Sequence, residues 1–475
     1  MMRDGGPAHL LETVPAAWAR RHGALPIART PEGIDVAVAA DAVSHAALDD
    51  LAFSFAAPVR PIPTDAAALT EAITRAYAES RERPSAAVEA IDAADLAAIK
   101  HELAERPDLL DATDDAPVIR LVNALLADAI DAGASDLHVE PTDTATRLRV
   151  RVDGVLRTVL DAPRRHGPAL VARIKVLARL DVAERRLPQD GRFGVRIGDR
   201  MVDVRVSVVP TAFGERAVLR LLDRSHQVGD FPALGFDAAT VQTLGRFLAL
   251  GHGLVLVTGP TGSGKTTTLY AALRRLATIE RNVLTIEDPV EYELPGVGQM
   301  QVNPRIGLGF DSGLRAILRQ DPDVILVGEI RDQETVRIAL QAALTGHLVF
   351  ATLHTNDAAA AVTRLLDMEV EPHLIVSTLR GVLAQRLVRR RCAPCHATGC
   401  ALCGGTGLRG RTVVHEVLEV SPAVQELVLA RADAERIRTT AVGLGMRTMR
   451  ACGEALVDTG VTTRAELERV LGEVP

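Results

Sequence analysis

Residues 259 to 266 read Gly259-Pro260-Thr261-Gly262-Ser263-Gly264-Lys265-Thr266, a glycine-rich run closed by a lysine and a hydroxyl. The run fits G-x-x-x-x-G-K-[ST] at every fixed position, and its flanks supply the context that the pattern needs. Leu254-Val255-Leu256-Val257 precedes it as a buried strand would, and Thr267 to Leu276 continues with helical character. A chain written this way is committed to a strand–loop–helix unit, the building block of an α/β core. The glycines let backbone N–H groups turn inward and surround phosphate oxygens at a helix N-terminus. Residues 259–266, with Thr267 opening the helix, form the expected nucleotide-binding set. Lys265 would reach the β- and γ-phosphates, and the Thr266 hydroxyl would ligate Mg²⁺.

At 475 residues the chain has room for about three or four domains. Apolar residues make up 47% and charged residues 24%, a globular balance that excludes wholesale disorder. A net charge of −7 argues against a dedicated nucleic-acid binder, which normally carries a basic excess. No uninterrupted apolar run approaches ~20 residues, and Met-Met-Arg-Asp-Gly-Gly-Pro opens no signal peptide. The expectation is a cytoplasmic protein able to dock on membrane partners.

Residues 1–80 read as a small α/β partner-docking unit, with helices over Leu11–His22 and Ala66–Ala78 and a strand over Gly33–Val38. Residues 81–112 form a charged linker. An α+β domain is expected over 113–228, opening with a helix from Val118 to Ala132. It holds two hairpins. One turns at Asp153-Gly154, and the other joins Phe193–Ile197 to Met201–Val208 through Gly198-Asp199. In the last strand Val202, Val204 and Val206 share one face, which leaves Arg205 on the other; alternation alone reads Arg205 as solvated. The nucleotide-binding core is expected over 229–390, a tetracysteine element over 391–411 and a helical domain over 412–475.

Three further strand ends in the core carry polar groups. Val283-Leu284-Thr285-Ile286 runs into Glu287-Asp288-Pro289, and Val324-Ile325-Leu326-Val327-Gly328 delivers Glu329. Leu348 to Leu353 is bracketed by His347 and His354. In open α/β sheets the carboxyl edge of the strands faces the ligand crevice. Hydrolysis of a phosphoanhydride needs a carboxylate to orient and deprotonate water and a group to hold Mg²⁺. The expectation places the base at Glu287 and the metal side at Glu329, with the exchanged assignment close behind. Strand-end acids also serve as helix caps, and a single strand-end histidine is commonly structural. Arg315 and Arg319, four apart, are expected on one helix face, either as a solvated surface or as stabilisers of γ-phosphate charge.

Cys392, Cys395, Cys400 and Cys403 form two C-x-x-C pairs separated by four residues. That spacing suits a closed Cys₄ shell around Zn²⁺, with an iron–sulfur or redox role as the competing reading. Cys452 stands apart and reads as a small buried apolar residue.

These segments together resemble the type II/type IV secretion ATPase superfamily. The phosphate loop, Thr285–Glu291, Asp321-Pro322-Asp323 through Gly328-Glu329-Ile330-Arg331-Asp332, and Thr345-Gly346-His347 to His354-Thr355-Asn356-Asp357 look like its Walker A, Asp, Walker B and His boxes. Ala134–Pro141, Arg151–Gly154, Glu184–Arg192 and Gly214-Glu215-Arg216 resemble the second N-terminal domain of type II secretion ATPases. The resemblance implies a RecA-like core behind a PAS-like α+β domain. It also implies a homohexamer using ATP, Mg²⁺ and Zn²⁺ to drive pseudopilus assembly at the cytoplasmic face of the inner membrane. Implied partners are the secretion platform proteins, namely the cytoplasmic domain of the L-type protein and the polytopic F-type protein. By the same resemblance Arg205, Arg220, Arg315 and Arg319 contact nucleotide phosphates at or across subunit boundaries, which reverses the solvated reading of Arg205. The four-residue spacer between the cysteine pairs is shorter than the family's usual loop, and residues 1–80 carry no clear cyclic-dinucleotide motif. A type IV pilus extension ATPase shares every core motif, and a DNA-translocating ATPase is a reading from another class that the acidic charge disfavours.

Overall fold

The computed structural model describes residues 117–197, 200–223 and 229–472, with parts of 10–76. The expected linker, most of the helix over 11–22 and the turn at Gly198-Asp199 lie outside the described residues. The chain divides into two compact units that part near residue 225.

The first unit opens with β1 (Ala24–Thr30), β2 (Gly33–Ala39), α1 (His45–Phe55) and β3 (Val59–Thr64), forming a three-stranded sheet in the order β1-β2-β3. Farther along lie α2 (Pro117–Asp131), β4 (Ala134–Pro141), β5 (Ala145–Val152), β6 (Val155–Pro163), α3 (Gly167–Leu177), β7 (Gln189–Ile197), β8 (Arg200–Thr211) and β9 (Gly214–Asp223). The six strands form one sheet in the order β6-β5-β4-β9-β8-β7. The expected turn joins β5 to β6 with positive φ at both Asp153 (50°) and Gly154 (79°), the backbone that a tight hairpin demands. Leu137 and Val139 of β4, Val202, Val204 and Val206 of β8, and the apolar stripes of α2 and α3 share one core. The opposite face of this sheet therefore keeps its charged alternates.

After a one-turn helix at Phe231–Leu234, the second unit runs through α4 (Ala238–Leu248), β10 (Gly253–Thr258), α5 (Lys265–Leu276), β11 (Val283–Glu287), β12 (Val297–Gln301), α6 (Phe310–Ile317) and β13 (Val324–Val327). It continues through α7 (Gln333–Leu344), β14 (Leu348–Leu353), α8 (Ala358–Asp367), α9 (Pro372–Thr378), β15 (Leu379–Arg391) and β16 (Leu408–Glu419). Four short helices close it: α10 (Pro422–Leu429), α11 (Ala434–Gly443), α12 (Met449–Asp458) and α13 (Arg464–Leu471). The sheet order is β12-β11-β13-β14-β10-β15-β16, parallel except for β16. β10 and β14 are buried along their whole length because helices cover both faces. Leu254 and Leu256 point into one core layer, Val255 and Val257 into the other.

Two expected boundaries are corrected. Residues 391 and 411 both fall inside strands, because β15 and β16 pair as an antiparallel hairpin of the core sheet from Gly381↔Glu419 to Arg391↔Leu408. The cysteines form the tip of that hairpin, and the core extends to Glu419 before the helices begin. Val413, Val414 and Leu418 are buried in the sheet, which is why 412–419 is not part of the helical domain. Among the described residues no helix is long and apolar enough to cross a membrane.

Candidate functional site

Register decides what the strand ends can reach. β10 and β14 run parallel with Thr258 opposite Leu353, so the phosphate loop and His354 leave the sheet side by side. The Thr258 hydroxyl ties the two exits together. It donates to the Leu353 carbonyl at 3.0 Å and accepts from the Thr355 amide at 2.9 Å. β13 delivers Glu329 at the same edge, two strands from β10, and β11 delivers Glu287 three strands away. At roughly 4.8 Å per strand these are backbone offsets of about 10 and 14 Å.

The loop has the form its glycines predict. Gly259 and Gly264 take φ of 145° and 88°, conformations that side-chain-bearing residues rarely adopt. Gly264 ends the loop as the cap of α5, whose first turn presents Lys265 followed by exposed Thr266 and Thr267. Lys265 donates to the carbonyls of Gly259 (2.7 Å) and Pro260 (3.1 Å). Burial pulls its pKa below the usual lysine value, and the Glu329 carboxylate opposes that shift.

The two acids occupy different surroundings. Glu287 is 4% exposed and is held by neutral donors: the Tyr270 hydroxyl, the Thr285 hydroxyl at 2.5 Å and the Gln299 amide at 3.2 Å. Burial, then the Glu287 charge, pushes the Tyr270 phenol far above its ordinary pKa, so it remains a donor. Glu329 instead lies in a partly exposed polar cluster, 3.0 Å from His354 Nε2 and 2.8 Å from Arg331 Nε. Arg331 in turn approaches Asp288 at 3.7 Å. Tyr270, Gln299 and Arg331 were not singled out from the sequence. For Tyr270 the available signal was its place four residues after Thr266, on one face of α5.

Other expected residues are placed less favourably. His347 stands at the opposite end of β14, about 23 Å from His354 over seven steps of ~3.3 Å. Its Nδ1 lies 2.9 Å from the Ala342 carbonyl, so it cannot serve the phosphate loop of its own core. α6 ends at Ile317, so Arg315 and Arg319 do not share a regular helix face. Arg319 lies in the turn beyond and donates to the Arg315 carbonyl at 2.9 Å, while Arg315 pairs with Glu334 at 2.5 Å.

Arg205 and Arg220 are directly opposite on β8 and β9, on the charged face of the six-stranded sheet. The row continues to Arg192 on β7, and on the other side to Asp136 of β4 and Arg151 of β5. Asp136 meets Arg220 at 3.0 Å and Arg151 at 3.7 Å. Arg192, Arg205, Arg220 and Arg151 thus lie in one cross-strand row of this face, with Asp136 between the last two. Arg192 is an addition to the expected set, legible only once β7 and β8 are in register.

The four cysteine sulfurs all lie within 4.8 Å of one another. Three pairs, Cys392–Cys400, Cys395–Cys403 and Cys400–Cys403, are 3.7–3.8 Å apart. Four ligands at ~2.3 Å from a tetrahedral Zn²⁺ stand about 3.8 Å apart, so the donor set fits the ion. Burial opposes ionisation of Cys403, but amide donors from Cys400 (3.1 Å) and Gly407 (3.2 Å) prevail and bring its thiol down to about 6. Cys452 is buried, as expected.

Comparison with known proteins agrees with this architecture. Residues 111–469 match the model of the Type II/IV secretion system protein family, and residues 5–83 match that of the MshEN domain. Type II secretion system protein HxcR of Pseudomonas aeruginosa is 50% identical over 406 residues, covering 84% of this chain and 87% of its own. Type II secretion system ATPase E of Vibrio cholerae is 49% identical over 407 residues, covering 80% of this chain and 81% of its own. Among solved structures, the pilus retraction motor PilT with bound ADP is 30% identical, with a TM-score of 0.52 over 73% of this chain and 95% of that one. The Legionella pneumophila ATPase DotB shares the fold at 23% identity, with a TM-score of 0.57 over 73% of this chain and 94% of that one. With a family model spanning its phosphate loop, both acidic strand ends and the cysteine hairpin, this chain belongs to the type II/type IV secretion ATPase family.

Proposed function

We propose that the chain is the ATP-hydrolysing motor of a type II secretion system, acting as a homohexamer that drives pseudopilus assembly and protein export. The observation that carries this reading is the gathering of Lys265, Glu329 and His354 at one edge of a parallel sheet, beside a glycine loop that opens a helix. Identity of about half with type II secretion proteins over four fifths of the chain sets the direction of the reading.

Backbone amides of 259–264 and the Lys265 ammonium would bind the β- and γ-phosphates, and Thr266, next on α5, would hold Mg²⁺. The metal supplies charge neutralisation on the phosphates. The surroundings of the two acids support the exchanged assignment: Glu329, facing Lys265 and tethered by His354, orients and deprotonates the attacking water. Glu287, enclosed by three donors, acts as the internal brace that keeps α5 and β11 in register. Water attacks the γ-phosphorus, the bond to the β-bridging oxygen breaks, and ADP and phosphate leave. Arg205 and Arg220 on the second N-terminal domain, which we read as PAS-like, and Arg315 and Arg319 on the core, stabilise phosphate charge at or across subunit boundaries. His347 contributes from a neighbouring subunit or structurally.

Zn²⁺ held by Cys392, Cys395, Cys400 and Cys403 stiffens the hairpin tip. Platform partners, the L-type cytoplasmic domain and the polytopic F-type protein, hold the motor peripherally at the cytoplasmic face of the inner membrane, with residues 1–80 as the docking unit. The test is made in the bacterium that carries the gene. Replacing the chromosomal copy with Lys265→Ala should stop release of exported proteins while leaving surface pili intact. Loss of pili with normal export would instead establish the pilus-assembly reading.

A further inference from the structure

The phosphate loop does not rest on its own strand and helix alone. β15 runs parallel to β10 with Ala384 opposite Thr258, so the next residue, Gln385, comes level with Gly259. Gln385 is 1% exposed, and its Nε2 donates to the Ser263 carbonyl at 2.8 Å. Its main chain is as close as its side chain. A Cβ on Gly259 would lie 2.4 Å from the Gln385 carbonyl oxygen, and one on Gly264 would lie 3.2 Å from Gln385 Nε2. Two of the loop's glycines are thus required in part by this one residue of the neighbouring strand. The Gln385 Oε1 and the Ser263 Oγ are both buried without a hydrogen-bond partner, an expensive arrangement for a side chain that only fills space.

A trans peptide is planar, with its C=O and the following N–H pointing in opposite directions. Capturing the Ser263 carbonyl on the β15 side therefore turns the Gly264 N–H away from β15. That amide is the last one before α5, where the helix dipole already favours anions. An unanchored peptide could flip, presenting a carbonyl oxygen where a phosphate needs a donor.

We propose that Gln385 is a positioning residue of the nucleotide site, fixing the Ser263–Gly264 peptide so that the Gly264 amide faces the phosphates of a nucleoside di- or triphosphate. The inference rests on the phosphate-loop reading above and deepens it: β15, the strand that continues into the cysteine hairpin, forms part of the phosphate site. Arg386, the next residue, donates to Asn356 Oδ1 at 3.1 Å and to the Val470 carbonyl at 2.7 Å. Neighbouring residues of one strand thus touch the phosphate loop, the loop after β14 and the last helix.

The test uses the full-length chain with Gln385→Met, an unbranched side chain of similar volume that cannot donate. Gln385→Leu, which also lacks the donor and brings no charge, is measured in parallel in case the thioether packs badly. ADP affinity, the KM and kcat for ATP, and the thermal midpoint without nucleotide are determined for each. One mispositioned amide should weaken ADP binding and raise KM together by about 3- to 10-fold, with kcat within about twofold, because the contact is made equally in ground and transition states. A variant whose ADP affinity and KM match the parent, with only the thermal midpoint lowered, would show a packing role and overturn the proposal. Lys265→Ala, probed with the same ADP titration, separates the two levels. Parental ADP binding there sinks the phosphate-loop reading itself, whereas its loss alongside an unaffected Gln385→Met sinks only this inference.

Discussion

β11 and β13 are neighbouring strands written in nearly the same way, each a short apolar run delivering a glutamate at the carboxyl edge. Their ends nevertheless meet opposite environments. Glu287 is enclosed by hydroxyl and amide donors from α5, β11 and β12. Glu329, one strand nearer to β10, lies in a partly open polar cluster with His354, Arg331 and the field of Lys265. The difference is a matter of register and of what lies above each strand. Tyr270 and Gln299 close the first end, while His354 and Arg331 leave the second partly open. A carboxylate braced by several neutral donors is well suited to holding elements together. One that faces a lysine and a histidine can exchange protons and ligands.

The largest effect expected is common to both ends. Lys265→Ala removes the cation that neutralises the transferring phosphate, so ATP turnover should fall by at least about 10³-fold with the fold intact. Near-parental hydrolysis by a folded variant would remove the reason for assigning either acid. The comparison itself is tested by Glu329→Gln against Glu287→Gln. The first should retain ATP and lower turnover by about 10²- to 10³-fold, the range of general-base loss, and the second by less than about tenfold. If Glu287→Gln instead gives the trapped, slow state, the original assignment of the base stands and the brace is catalytic.

Tyr270→Phe sharpens the distinction at smaller cost. It removes a hydrogen bond to a charged, buried group, worth about 1.5–3 kcal/mol, and should appear in chemical denaturation with turnover changed little. A turnover loss matching that of Glu329→Gln would place Tyr270 and Glu287 in the chemistry. The smallest effect on either acid should come from the hairpin tip. Metal analysis should find about one Zn per chain, and its removal should loosen 392–403 without altering ADP affinity, since a closed Cys₄ shell leaves no open position. Iron, or no metal at all, would overturn that site.

Much of the core was legible because its signals are local. An apolar run, a glycine loop and a lysine specify a strand, a turn and a helix start within about twenty residues. The hairpin at Asp153-Gly154 was legible for the same reason, since two positive-φ positions need residues of that kind. What stayed hidden depends on neighbours distant in sequence. The extent of β16 was missed because its pairing with β15 crosses the cysteine element. His347 and His354 flank the same strand and looked equivalent, yet they stand at opposite edges of the sheet. Gln385 gave no local signal, because its importance comes from lying beside a loop more than a hundred residues earlier.

The amino-acid sequence by itself determined the inventory: a phosphate loop, two acidic strand ends, two flanking histidines, a row of valines with Asp203 and Arg205 between them, and four clustered thiols. These follow from short-range rules of backbone conformation and side-chain chemistry. Only the tertiary structure decided which of them meet. Strand order set the distance of each acid from Lys265, and parallel register brought His354 beside the loop while carrying His347 away. Cross-strand pairing aligned Arg192, Arg205 and Arg220 on one face. The physical reason is that burial and electrostatic environment are properties of spatial neighbours, and in a parallel sheet those neighbours are supplied by other segments of the chain.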